Sequence, residues 1–302
     1  MQASDKKKRW IELFAFVVVL LCLLKVASYI MNPIRMGRPE CVNERDNYVA
    51  SAMTEEPDSI DVVVLGDSEA LVLLSTQILY DEEGISSYIV GQSGQRISEA
   101  FYTLQELVET QSPKVVLLET DMVVISSDER REALGSFTAA SYHYFPIFRY
   151  HGMWKEIYGI KEPERIDHYR GFAVRAEVNP YVDGEYMHPT DEKEKLLLST
   201  IYYMNRIIKL CEEEDIKLVL VSAPSPSNST YEKHNALQAL ADDKGLDFID
   251  FNLMLDELGI DWATDSLDGG DHVNYNGTVK LTEYLMSYLK DNFDLHDYRG
   301  DD

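Results

Sequence analysis

Short apolar runs alternate with amphipathic stretches across brief polar loops. This pattern predicts an α/β protein whose parallel sheet is covered by helices on both faces. Three observations carry the prediction. Ile60-Asp61-Val62-Val63-Val64-Leu65 runs four consecutive apolar residues, three of them β-branched, straight into Gly66-Asp67-Ser68, as a strand buried on both faces does. Val115-Val116-Leu117-Leu118 and the run 217–221 repeat the pattern. Between them, Ile97, Phe101, Leu104 and Leu107 keep helical spacing.

Taken in order, the chain first offers Lys6, Lys7, Lys8 and Arg9 ahead of an unbroken apolar run over 13–24, which extends with its flanks over 10–31. A membrane-crossing helix needs about 20 residues. The basic cluster is expected to stay in the cytoplasm, which sends the rest of the chain outside. Glu12 and Lys25 lie near the ends of the segment and can snorkel. The competing reading is a cleaved signal peptide with Val26-Ala27-Ser28 as its site. Residues 1–31 are thus read as basic tip and anchor. Residues 32–58, with Pro33, Pro39 and Pro57, are read as a polar stalk, and 59–302 as the domain.

Within the domain a first strand is predicted over 60–65 and a helix after Ser68, using Leu71, Leu73, Leu74 and Leu79. A second strand over 87–90 ends at Gly91-Gln92-Ser93-Gly94-Gln95. A helix over 96–111 stops before Pro113, and a third strand over 115–118 closes with Glu119-Thr120-Asp121. The alternation then breaks. Residues 122–190 are rich in aromatics and read as an insertion over the carboxyl edge of the sheet, either a small packed subdomain or a wall for a sugar or acyl acceptor. After Pro189, Thr190 or Asp191 can cap a helix over 192–214. Strands at 217–221 and 248–250, a helix over 231–244 and a closing helix over 276–292 complete the pattern.

A chain of 302 residues with 45% apolar content supports one anchored domain with a good core. Its 53 acidic against 28 basic residues, a formal charge of −25, argue against nucleic acid as a partner; solubility is a sufficient reason for the acidity. Cys22 lies in the apolar segment, while Cys41 and Cys211 could pair outside the cell. No C-x-x-C or H-E-x-x-H spacing is present, so neither a metal nor a cofactor is expected.

Ser68 follows the first strand, at the edge where open α/β sheets bind ligands. A nucleophilic serine needs a base, and the comparable polar cluster late in the chain is Asp268-Gly269-Gly270-Asp271-His272. Gly94 ends the second strand, and Thr120 and Asp121 end the third. In this order the set resembles the SGNH (GDSL-type) hydrolases. Gly66-Asp67-Ser68 matches their nucleophile motif, Gly91-Gln92-Ser93-Gly94 their second block, and His272 before a C-terminal helix their last block. The resemblance covers roughly 58–125 and 190–293 and implies a flavodoxin-like three-layer α/β/α sandwich.

It also implies roles. His272 takes the proton of Ser68, an acid orients the imidazole, and the N–H groups of Ser68 and Gly94 face the oxyanion. An acyl-serine then passes its acyl group to water or a sugar hydroxyl. Two departures stand out. The family's acid lies three residues before the histidine, where this chain has Gly269, so Asp268 is favoured and Asp271 is the alternative. The family's third block supplies an asparagine, where this chain has Glu119-Thr120-Asp121, leaving Thr120 as the candidate donor.

The chain is further similar to membrane-anchored SGNH-like proteins of the bacterial envelope, the group of the teichoic acid D-alanyl transfer protein and the alginate acetylation proteins. Asp271-His272-Val273-Asn274 followed by Gly277 has the look of their last block. That likeness implies a single-pass protein of the cell membrane with its domain outside. It would act as a serine esterase or O-acyltransferase on a cell-envelope glycan or a small ester, and a membrane-bound O-acyltransferase is the partner it allows. The alternative is a non-catalytic accessory protein that binds glycan or such a partner. A nucleotide-binding domain using Gly91 and Gly94 is a third reading, with Arg96 the one basic residue nearby. His234-Asn235 is expected to cap a helix, and His143, His151 and His168 to be surface or packing residues.

Overall fold

The computed structural model describes residues 2–124 and 128–300; Met1, the last two residues and positions 125–127 of the expected insertion lie outside the described residues. Five strands form one parallel sheet: β1 (Val62–Leu65), β2 (Ser87–Ile89), β3 (Val115–Glu119), β4 (Lys217–Ser222) and β5 (Asp247–Asp250), in the order β2-β1-β3-β4-β5. β1 pairs with β3 from Val62 opposite Val115 to Leu65 opposite Leu118. Thirteen helices are described around it. They are α1 (Gln2–Ile30), α2 (Glu44–Ala52), α3 (Ala70–Leu73), α4 (Thr76–Glu83), α5 (Ile97–Leu107), α6 (Asp121–Val124) and α7 (Glu129–Tyr144). There follow α8 (Ile147–Tyr150), α9 (Trp154–Ile157), α10 (Leu198–Glu213), α11 (Tyr231–Lys244), α12 (Leu255–Leu258) and α13 (Tyr275–Asn292).

The two-residue period of the strands sorts their side chains into two cores. Val63, Leu65, Val116, Leu118, Leu218 and Leu220 pack with α5, α10 and α11. Val62, Val64, Val115, Leu117, Val219 and Val221 pack with α3, α4 and α13. This is the expected three-layer α/β/α sandwich. Full burial of each such side chain contributes about 1.5–3 kcal/mol, which is why strands of four or five residues hold a sheet here.

One expectation is corrected, and one open reading is resolved. Residues 32–58 are not a free stalk: α2 lies within them, capped by Asn43, and buries Tyr48, Val49, Ala50 and Ala52 against the domain. Cys41 and Cys211 are both free and buried in different apolar clusters. Burial pushes the Cys211 thiol up to about 12. Lys25 Nζ donates to the Tyr144 carbonyl at 2.7 Å. With it, Ser28 Oγ accepts from the Ile147 N–H at 3.3 Å and the Tyr158 hydroxyl donates to the Ile30 carbonyl. The end of α1 is therefore docked on the insertion, with Val26-Ala27-Ser28 inside the helix. Upstream the helix is bare: Trp10, Phe14 and Phe16 are each more than 60% exposed, and residues 6–30 are long and apolar enough to cross a membrane.

Candidate active site

The strand order changes direction between β1 and β3, and the crevice at such a switch point is where parallel sheets bind ligands. Ser68 lies just beyond β1 there, and Thr120 just beyond β3. Gly66 makes the turn possible: a Cβ on it would lie 2.6 Å from the Glu119 Cβ and 2.8 Å from that of Ala70. Asp67 Oδ1 accepts from the Glu69 N–H at 3.1 Å, and the Ser68 carbonyl accepts from Leu71 N. Ser68 itself is half-buried. Among the described residues neither its hydroxyl nor its N–H makes a hydrogen bond.

The second block is tied to this turn. Gln92 N donates to the Gly66 carbonyl, and Gly94 takes φ +62° with its N–H unengaged among the described residues. Arg45 donates to the Ser93 carbonyl, and Gln92 Nε2 to Asp46 Oδ1 at 2.8 Å. Asp46 also pairs with Arg149 at 2.8 Å. Burial works against its charge, but Arg149 and Arg45 outweigh it and hold the carboxyl below its usual range. Sequence reasoning missed this brace because its members lie in the supposed stalk and in the insertion.

The histidine loop arrives from the other end of the chain. Asn274 caps α13, accepting from Asn276 N and Gly277 N. Thr278 Oγ1 donates to the Val72 carbonyl, and Thr282 Oγ1 accepts from Ser75 N, so α13 is pinned to the helices that follow Ser68. Gly269 and Gly270 take φ +84° and +101°, open to glycine and strained for other residues. They let the chain curl so that Asp268 faces back: its Oδ2 lies 2.7 Å from His272 Nδ1, and its Oδ1 accepts the His272 N–H at 2.8 Å. Asp271 Oδ2 is 3.5 Å from the same nitrogen. His272 Nε2 is buried and has no hydrogen-bond partner among the described residues, Ser68 Oγ included.

The insertion holds this loop. Gly269 N donates to the Asn179 carbonyl, Asn179 N to the Ser266 carbonyl, and Tyr275 N to the Arg175 carbonyl. A Cβ on Gly270 would lie 2.6 Å from the Tyr181 ring, which sits edge-on to Tyr186 and Trp262. The aromatics here clamp the loop; none of them lines the cleft described below.

Thr120 is committed elsewhere. Its N–H donates to the Val221 carbonyl and its hydroxyl is paired with Ser222 Oγ. The more consequential feature of the third block is charge. Asp67, Glu69, Glu119 and Asp121 are all buried beneath Ser68. Burial, then the charge of Asp121, pushes Asp67 up to about 7. Burial and the neighbouring carboxylates raise Glu69 and Glu119 well above the usual range. Burial raises Asp121 too, although Lys233 pulls the other way.

A folded state that keeps protons the unfolded chain has released loses stability as pH rises between the two pKa ranges, here from about 4 to about 7. The thermal midpoint should therefore fall between pH 5.5 and pH 8, and Glu119→Gln should flatten the fall. A midpoint that rises over that interval, followed by circular dichroism, would mean the cluster is ionised in the fold.

Beside Glu69 opens a narrow cleft lined by Thr120, Asp121, Ser225, Asn228, Lys233 and His234 among others. Asn228 Nδ2 donates to Asp271 Oδ1 at 2.6 Å and to Glu69 Oε1 at 3.2 Å, tying the two loops together. His234, expected as a cap, pairs with buried Asp250 at 2.7 Å. Asn228 carried no motif, and polarity in the loop after β4 was its one signal. Of the other histidines, His143 stacks on Tyr102 and His168 packs against Tyr48.

No family model matches the chain, and no curated protein does. Among solved structures it is similar to a Bacteroides fragilis protein provisionally assigned as an acylhydrolase, at TM-score 0.42 and 14% identity over 82% of this chain and 95% of that one. It is also similar to the psychrotrophic esterase EstA from Pseudoalteromonas, at TM-score 0.41 and 16% identity over 78% and 98%. Both likenesses are loose ones of fold.

Proposed function

We propose that this chain is a membrane-anchored, extracytoplasmic serine esterase or O-acyltransferase that works through an acyl-serine. The observation that carries the reading is the Asp268–His272 pair, which holds Nδ1 at 2.7 Å and leaves the buried Nε2 uncommitted. An imidazole whose Nδ1–H is donated to a carboxylate keeps a lone pair on Nε2, the state a general base requires. In the proposed reaction Nε2 takes the Ser68 proton as Oγ attacks the acyl carbon. The N–H groups of Ser68 and Gly94 stabilise the oxyanion. The imidazolium then protonates the leaving alcohol, and water or a sugar hydroxyl takes the acyl group from Ser68 with His272 again as base.

With the donors of Thr120 engaged, the oxyanion has two backbone donors rather than three. A cleft lined by hydroxyl, amide and charged groups favours a polar acceptor, and the bare α1 favours a bilayer; together they support a cell-envelope glycan over a lipid ester. A membrane-bound O-acyltransferase would supply the acyl group in the transferase form. The accessory-protein reading draws on the unbonded Ser68 and His272.

A membrane-impermeant fluorophosphonate probe added to intact cells tests activity and topology together. Labelling of Ser68 is the expected result. Labelling in lysed cells alone would reverse the topology, and no labelling in either would favour the accessory protein.

A further inference from the structure

His272 has a second set of neighbours. Donor atoms of Glu69, Asp271 and His272 lie within 4.8 Å of one another. The atoms already engaged are Glu69 Oε1 and Asp271 Oδ1, both held by the Asn228 amide, and His272 Nδ1, held by Asp268. Glu69 Oε2 and His272 Nε2 remain, and each is buried without a partner among the described residues. Glu69 is 1% exposed and His272 9%. The hydroxyl of Ser225, which lies against Glu69, gives its hydrogen to the Asp271 carbonyl at 2.6 Å instead.

Orphaned buried acceptors of this kind carry a desolvation cost that a proton donor or a cation would remove. Two carboxylates and a neutral imidazole are a ligand set for a borderline divalent ion, and binding would displace the proton that the buried Glu69 carboxyl otherwise holds. Zinc takes such nitrogen and oxygen donors at about 2.0–2.2 Å, within reach of small side-chain movements from the present spacing. The surroundings complete the arrangement. A metal-bound histidine ordinarily donates its other N–H to a carboxylate, as the Asp268 pairing allows. The amide of Asn228 orients both carboxylates. Lys233 is the one lysine among the residues lining the cleft.

We propose that Glu69, Asp271 and His272 form a site for a divalent transition-metal ion of the zinc class, and that its binding takes the His272 imidazole away from Ser68. The second half rests on the serine-hydrolase reading; the first does not. On this account zinc is an inhibitor released by chelation, and the same imidazole serves as base or as ligand but not as both.

The test uses the full chain in detergent micelles without a histidine tag. Cobalt(II) is titrated and its visible d–d bands are followed. Saturable binding at one ion per chain, displaced by zinc, is the expected result. Glu69→Gln and Asp271→Asn should each weaken it at least about tenfold, and Ser68→Ala should retain it. Circular dichroism checks that each variant folds. The absence of a saturable band, or binding that neither carboxamide variant weakens, overturns the site. Cobalt binding with those losses supports it even in a chain that turns over no ester, because the spectrum reads the metal and not catalysis. Where ester turnover is present, added zinc should suppress it and a chelator restore it, with Glu69→Gln shifting the inhibitory concentration upward by the factor seen with cobalt. Turnover indifferent to bound metal would overturn the inhibitory half.

Discussion

Ser68→Ala should lower kcat/KM for an aryl acetate on the order of 10⁴–10⁶-fold, the scale on which serine nucleophiles are lost in proteases. His272→Gln should fall about as far, and the double variant little further, because the two groups act as one unit. The expectation is clean because Ser68 has little structural duty. Its hydroxyl makes no hydrogen bond among the described residues and it is half-buried, so stability should change by no more than about 0.5 kcal/mol. A collapse of turnover at unchanged thermal midpoint then reports chemistry. If Ser68→Ala keeps more than about a tenth of wild-type activity, this serine is not the nucleophile.

β1, β3 and β4 were legible because they lie inside the sheet, buried on both faces, and show it as apolar runs. β1 and β3 fall within a residue or two of their predicted bounds. The helix at 231–244 was exact, since Thr230 caps its start and Gly245, at φ +66°, ends it. Where an element depends on a distant partner, the sequence misleads. The helix expected from 192 begins at Leu198, and its first N–H groups, those of Leu198 and Ser199, donate to the carboxylate of Glu129 on α7. Nothing local announces a cap supplied from sixty-nine residues away. α2 was lost for the same reason: Asp46 reads as a solvated charge until Arg149 is placed against it.

The site divides in the same way. Ser68, Gly94 and His272 each follow a strand or precede a helix, positions that a hydrophobic pattern marks. The chemistry around them is not marked. Asp67 accepts the Glu69 N–H in the turn after β1, but its burial beside Glu119 and Asp121 is a property of the packed sheet edge. Thr120 was the natural donor in its block by residue type, yet strand pairing with β4 takes its N–H and Ser222 takes its hydroxyl. The insertion, whose aromatics left a packed subdomain and a ligand wall both open, braces the loop that carries His272.

Asp268→Asn should cost about 10⁴ in turnover, and Asp271→Asn no more than about tenfold. Donors and acceptors around the imidazole decide the difference. Asp268 accepts twice, from the His272 backbone N–H through Oδ1 and from the imidazole through Oδ2. An asparagine has one oxygen and one amide nitrogen. If its oxygen takes the backbone N–H, its NH₂ faces Nδ1 and favours the tautomer with the proton on Nε2, which cannot accept from Ser68. If the amide is turned over, two donors meet at the backbone and the curl through Gly269 and Gly270 is strained. Asp271 lies 3.5 Å from Nδ1, and its other oxygen is held by Asn228, so it adds charge near the ring but does not select the tautomer. Both variants are compared with Ser68→Ala as the floor, after circular dichroism shows that each folds. Should Asp271→Asn reach that floor while Asp268→Asn keeps most activity, the orienting acid is Asp271, and the loop must rearrange when substrate binds.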